Sequence, residues 1–278
     1  MNEPPKVKAV ADIVFLIDVT GSMGPFIEAL KTNINKFIDT LTTGGGPNEP
    51  PPVKDWRGMV AGYRDVLDNS GDWFVTEGFT NNVDELRSHI ALLEPDGGGD
   101  IPESLLDAIH KIAWFDQTER DADPDPMLWR YRSSAHRFIL AFTDAVFHKT
   151  MSYDSKVEGA GAESVEQACH SGNIKLCIFT PAAANPNHDE SGEEAYDGLS
   201  SIDKSEINLL PGATAEEAFD NFVADTEAFN RVMSQLAKTV SKSVETEALP
   251  LPEGDFSEQE NSADAEVAEG AEEEPVAE

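Results

Sequence analysis

The segment FLIDVTGSMG, residues 15 to 24, sets Asp18, Thr20 and Ser22 at alternate positions directly behind an apolar run. In an extended turn, alternate side chains lie on one side of the chain, so three oxygen-bearing groups can converge on one point. That chemistry suits a hard divalent cation. Magnesium takes oxygen ligands in near-octahedral geometry, keeps several waters, and is usually held by one or two carboxylates with positions left open. Hydroxyl ligands are neutral and leave the metal electron-poor, so that an incoming carboxylate is attractive. No sulfur or clustered histidine favours zinc. Taken singly, the same residues have plainer roles. Asp18 or Thr20 can cap the following helix, Gly21 and Gly24 suit a turn, Asp144 is a strand-end acid, and Glu103 is an acid in the first turn of a helix. Joint placement shifts the balance. Asp18, the loop GGGDIPES with Asp100 and Glu103, and Asp144 after RFILAFT all fall at the carboxyl ends of expected strands or in the loops that follow, where open parallel sheets bind their ligands.

The elements that must position these residues alternate along the chain. DIVFLIDV is a short, nearly all-apolar run, expected of a strand buried on both faces. After Pro25, Phe26, Ile27, Leu30, Ile34, Phe37, Ile38 and Leu41 recur at helical spacing, and the helix is expected to stop near TTGGGP. RGMVAGYRD and DWFVTEGF read as two strands joined by the turn-rich VLDNSG. Helices are expected over NVDELRSHIALLE, with Asn81 or Asn82 as cap, and over PESLLDAIHKIAWF, starting on its proline. DQTERDADPDPMLWRYRSSAH is expected to be a long surface connection, with the cations Arg130, Arg132 and His136 resting on neighbouring acids. RFILAFTDA, NIKLCIFTP and EINLLPG read as strands, ESVEQACHS as a helix, ANPNHDESGEEAYDGLSSIDK as a loop, and Thr214 to Val244 as one long amphipathic helix. The alternation predicts an α/β fold: a mostly parallel central sheet with one antiparallel edge strand and helices on both faces.

Composition narrows the function classes. The chain has 278 residues, 53 acids against 20 lysines and arginines, and a formal charge of −33, which repels phosphate backbones and anionic membranes and argues against nucleic-acid or membrane partners. Cys169 and Cys177 lie inside an expected helix and strand, as buried free thiols do. No signal-peptide core or membrane-length apolar run is present, so a soluble, cytoplasmic protein is expected. Residues 1–10 read as an N-terminal extension, 11–247 as one domain, and 248–278 as a disordered tail with eleven acids and no lysine or arginine.

FLIDVTGSM resembles the signature of von Willebrand factor A (VWA) domains, whose metal-ion-dependent adhesion site (MIDAS) uses D-x-S-x-S; Thr20 stands where serine is commoner and keeps the hydroxyl. FILAFTDAVFH is similar to the family's later strand, whose terminal aspartate joins the site, a role that falls to Asp144. GGGDIPESLLDAI is similar to the second metal loop, although Gly97, Gly98 and Gly99 leave none of the threonine many members place there. The order of Asp100, Pro102 and Glu103 resembles the integrin β-subunit version, in which the glutamate is a ligand, so Glu103 takes that role and Asp100 is an outer or alternative ligand. GPFIEAL offers only Glu28 and lacks the paired acids of the adjacent regulatory metal in integrin β subunits. GYRD looks like a feature of intracellular bacterial members. The resemblance implies a Rossmann-like sheet, Mg²⁺ or Mn²⁺ held by Asp18, Thr20, Ser22, Glu103 and Asp144, and a protein partner that supplies an Asp or Glu to complete the coordination, without catalysis. Two alternatives stand beside it. One is a metal-dependent phosphohydrolase-like enzyme with Asp18 as phosphoryl acceptor, though Thr20 sits where such enzymes carry a second acid. The other is a scaffold without metal. His148, after the Asp144 strand, is read as a surface or outer-layer residue, or one that orients a site water.

Overall fold

A computed structural model describes residues 10–43, 51–67, 72–97, 102–181, 199, 202, 205–246 and 249–250, without a few helical side chains. The expected extension up to residue 9, most of the loop at 184–204, Asp100, and the acidic tail beyond Pro250 lie outside them.

Among the described residues six strands form one sheet: β1 Val10–Asp18, β2 Asp55–Tyr63, β3 Phe74–Thr76, β4 His136–Phe142, β5 Ile174–Pro181 and β6 Glu206–Leu210. The strand order is β3-β2-β1-β4-β5-β6, parallel throughout except for the edge strand β3, which pairs antiparallel with β2. The helices are α1 Gly24–Thr43, α2 Val83–Ala91, α3 Leu105–Ala113, α4 Ala162–Gly172, α5 Ala215–Ala224 and α6 Thr226–Thr246. The expected α/β architecture is thus the one the chain adopts.

β1 shows why. Every residue of VADIVFLID is buried, and the pleat sends Ala11, Ile13, Phe15 and Ile17 to one face and Val14 and Leu16 to the other. The first set packs with the α1 stripe Phe26, Ile27, Leu30, Ile34, Phe37, Ile38 and Leu41, and with α2, α5 and α6. The second packs against α3 and α4. Two buried faces explain the uninterrupted apolar run. Asn82 caps α2, its side chain accepting the amides of Asp84 and Glu85.

Several expectations are corrected. The helix expected to start at Pro102 begins at Leu105, because Glu103 instead pairs as an isolated parallel bridge with Phe147. The strand expected over 72–79 is shortened to Phe74–Thr76; beyond it the Phe79 amide donates to the Pro126 carbonyl at 2.6 Å. The single helix expected over 214–244 is two, broken at Asp225, whose carboxylate accepts the amides of Glu227 and Ala228 and so starts α6 afresh.

The connection at 116–135 is less superficial than its polarity suggests. Trp129 is fully buried and its indole N–H donates to the Ile112 carbonyl at 3.0 Å. Of the cations expected to rest on acids, Arg130 does so, reaching Asp12 at 3.3 Å and Asp55 at 2.6 Å. Arg57 forks onto both oxygens of the buried Asp12, at 3.0 and 2.6 Å. Cys169 and Cys177 are free and buried, and burial pushes each thiol up to about 12. Among the described residues, no helix is long and apolar enough to cross a membrane.

Candidate metal centre

β1 is central, and the chain leaves it toward β2 on one side and β4 on the other. The crevice of an open parallel sheet forms at such a switch point, outside the carboxyl ends. The registers Asp18↔Tyr63 and Ile17↔Phe142 bring those ends level, so Asp18, the Arg64-Asp65 pair and the Thr143-Asp144 pair leave the sheet along one edge.

Asp18 is wholly buried. One carboxylate oxygen, Oδ1, accepts the Thr20 amide at 2.9 Å and the Thr20 hydroxyl at 2.7 Å. The other, Oδ2, accepts the Thr143 hydroxyl at 2.9 Å. Thr20 Oγ1 lies 3.4 Å from Ser22 Oγ, and the Ser22 hydroxyl hydrogen-bonds the half-buried Asp144. The capping role open to Thr20 is not taken: it makes no side-chain cap bond to the short 3-10 turn Gly21–Met23 ahead of α1. Four of the expected residues, Asp18, Thr20, Ser22 and Asp144, are therefore linked in one cluster.

Electrostatics sets the two carboxylates of this cluster apart. Burial, and then the charge of Asp144, push Asp18 up from 3.8 to about 6 against the hydrogen bonds from Thr20 and Thr143. Burial likewise raises Asp144, opposed by its bond from Ser22. Among the described residues, neither carboxylate forms an ion pair with a lysine, arginine or histidine. A buried and a half-buried carboxylate side by side, without a counter-cation among the described residues and ringed by hydroxyl oxygens, form a donor set that fits an oxygen-seeking divalent ion.

Glu103 stands differently. It is 3% exposed, and its main chain is fixed beside the segment after Asp144: its amide donates to the Val146 carbonyl at 2.8 Å and its carbonyl accepts the His148 amide at 2.9 Å. Among the described residues no three acid, histidine or cysteine side chains gather as a metal-holding group, so the Glu103 carboxylate is not drawn in with those of Asp18 and Asp144. Asp100 lies outside the described residues. His148 turns to another acid, its Nε2 lying 3.0 Å from Asp65 Oδ1.

Sequence reasoning missed Thr143, although a hydroxyl directly before the strand-end acid was a usable signal. It also left Arg64 and Asp65 without a role, although a cation and an acid straight after an apolar strand are a conspicuous pair.

A scan of protein families found none that matches the chain. Among curated proteins, an ariadne-like RING finger protein of Acanthamoeba polyphaga mimivirus is 26% identical over 118 residues, 39% of this chain and 11% of that protein. Among solved structures, the pilus adhesin SpaC from Lactobacillus rhamnosus GG aligns with TM-score 0.53 and 13% identity over 87% of this chain and 31% of the adhesin. Proximal thread matrix protein 1 from the mussel byssus aligns with TM-score 0.48 and 11% identity over 84% of this chain and 47% of that one. The chain thus spans about a tenth of the curated relative it matches and about a third of the adhesin. At such identities the adhesin shares the fold alone.

Proposed function

We propose that this chain is a metal-dependent protein-interaction module of VWA type. Asp18, Thr20, Ser22 and Asp144 hold Mg²⁺ or Mn²⁺, and a partner protein places an aspartate or glutamate in an open coordination position. The observation that carries this reading is the pair Asp18 and Asp144: a buried and a half-buried carboxylate at the sheet's switch point, both raised by burial and Asp18 also by the charge of Asp144, without a cation partner among the described residues. With only two carboxylates and neutral hydroxyls in the cluster, a bound divalent ion retains appetite for one more anionic oxygen. Glu103 stands outside this cluster, and Asp100 lies outside the described residues.

The reading is of a cytoplasmic binding module rather than a catalyst. Thr20 occupies the place where a D-x-D phosphoryl-transfer site would carry its second acid, and it donates its hydroxyl to Asp18. The strong negative charge of the chain disfavours nucleic acid and anionic membrane as partners.

The test is affinity capture with the wild-type chain and Asp18→Ala as baits, each with Mg²⁺ and with chelator. Capture of a partner by the wild type in Mg²⁺, and its loss in the other three conditions, is expected. Equal recovery in all four overturns the reading, and metal-dependent release of phosphate from a generic phosphate ester, abolished by Asp18→Asn, would replace it with an enzyme.

A further inference from the structure

We propose that Arg64 and Asp65, the charged pair that follows β2, are positioning residues that hold the loops of the metal centre in register, one loop set each. This rests on the metal centre proposed above.

Arg64 works on the side of the first motif. Its main-chain amide is tied to the Trp73 carbonyl at 2.8 Å, which fixes the root of the side chain. The guanidinium donates from Nη2 to the Glu94 carbonyl at 2.6 Å, from Nε to the Asp96 carbonyl at 3.2 Å, and more weakly to the Asp72 carbonyl at 3.4 Å. The segment so gripped touches the main chain on both sides of Thr20. The Asp96 amide donates to the Val19 carbonyl at 3.0 Å, and the Gly97 carbonyl accepts the Gly21 amide at 3.2 Å. The approach at Gly21 is close enough that a Cβ there would lie 3.3 Å from the Gly97 oxygen. Arg64 therefore reaches the hydroxyl loop through the backbone of 94–97, and it does so with a planar fork that spans two carbonyls.

Asp65 works on the other side. It is buried, and its Oδ1 accepts the Leu67 amide at 2.9 Å and the Ser104 hydroxyl at 2.9 Å, and lies 3.0 Å from His148 Nε2. Ser104 in turn accepts the Val66 amide at 2.9 Å. Ser104 follows Glu103 and His148 lies on the segment that carries Asp144, so one carboxylate oxygen joins the end of β2 to both remaining loops. Farther along, Asp107 accepts the amides of Ser152 and Tyr153 at 2.6 and 2.9 Å, extending the same join.

Two carboxylates that repel each other do not assemble a metal site unaided, so their loops must be held by bonds elsewhere. Residues that orient metal ligands in this indirect way are worth about 10- to 100-fold in metal affinity.

The experiment is a Mn²⁺ titration of the full chain, reading free Mn²⁺ by electron paramagnetic resonance, for wild type, R64A, R64K, D65A, D65N and, as a distant destabilised control, R130A. The expected result is about tenfold or greater loss of Mn²⁺ affinity in R64A and D65A. R64K should also lose affinity, because an ammonium lacks the planar fork. D65N, which keeps an acceptor oxygen at the same place, should stay close to wild type, and R130A should bind Mn²⁺ normally despite a lower melting temperature. Wild-type affinity in R64A and D65A, or an equal loss in R130A, overturns the brace. If the alanine variants do not fold, R64K decides: unchanged affinity there overturns it. A wild-type chain that binds no Mn²⁺ removes the metal centre and the brace with it, whereas wild-type binding with unaffected variants removes the brace alone.

Discussion

Asp18 has no solvent exposure and a folded pKa raised from 3.8 to about 6, which gives its charge a definite sign in the stability of the metal-free chain. A raised carboxylate favours the folded state most below its unfolded pKa, and that advantage is lost as pH rises through the folded value. Above about pH 6 the metal-free fold therefore carries an ionised Asp18 at a cost on the order of 3 kcal/mol. Asp18→Asn removes the charge and keeps an acceptor for Thr20. In chelator, denaturant unfolding should show the variant gaining on wild type as pH rises from 4.5 to 7.5, by about 1 to 3 kcal/mol; a difference that is flat across that range sinks the argument. The residues of this site were legible where their geometry is local. Asp18, Thr20 and Ser22 lie within one turn, and Asp144 ends a plainly apolar strand. Thr143 was not, because its bond to Asp18 spans 125 positions and exists only once β4 lies beside β1. Arg64 and Asp65 were opaque for the same reason: their partners belong to other segments.

At the scale of elements, the opposite end of the sheet carries a buried ion pair. Asp12 and Arg57 face each other in the β1–β2 register, both almost wholly buried, and Arg57 also donates to the carbonyls of Asp125 and Leu128. The ion pair thus fastens the 116–135 connection onto the sheet. Removing one partner of a buried pair strands the other charge and costs about 3 to 5 kcal/mol. Arg57→Ala is expected to lose that much in equilibrium unfolding while leaving Mn²⁺ binding at the far edge intact; a loss under 1 kcal/mol would mean that Arg130, which donates its amide to Asp12 at 2.8 Å, compensates fully. Strands buried on both faces and the α1 stripe were legible because burial imposes their pattern. Boundaries were not. Pro102 signals a helix start, but pairing between Glu103 and Phe147 outweighs that local preference. The apolar spacing of residues 214–244 continues across the Asp225 break, so the period alone does not mark it. The polar 116–135 connection hid Trp129, whose burial depends on α3 and the sheet rather than on its neighbours in sequence.

Across the whole molecule, a charge of −33 means that any divalent cation will stabilise the fold to some degree by screening, and the specific site must be separated from that background. Screening weakens as ionic strength rises, the Debye length falling to about 8 Å at physiological salt, whereas a site ion persists so long as its concentration exceeds its dissociation constant, stabilising by RT ln(1 + [L]/Kd). The proton adds a second handle. With Asp18 raised to about 6, metal entering at pH 5 must displace a proton that is already largely absent at pH 7.5, so the site's contribution shrinks on acidification. In low salt, Mg²⁺ should raise the melting temperature of wild type and Asp18→Asn alike. In about 0.15 M salt at pH 7.5, only wild type should retain the increment, and at pH 5 that remainder should diminish. An increment shared by both proteins at physiological salt, or one indifferent to pH, would assign the whole effect to the diffuse charge of the chain and leave the Asp18 and Asp144 pair without a bound ion.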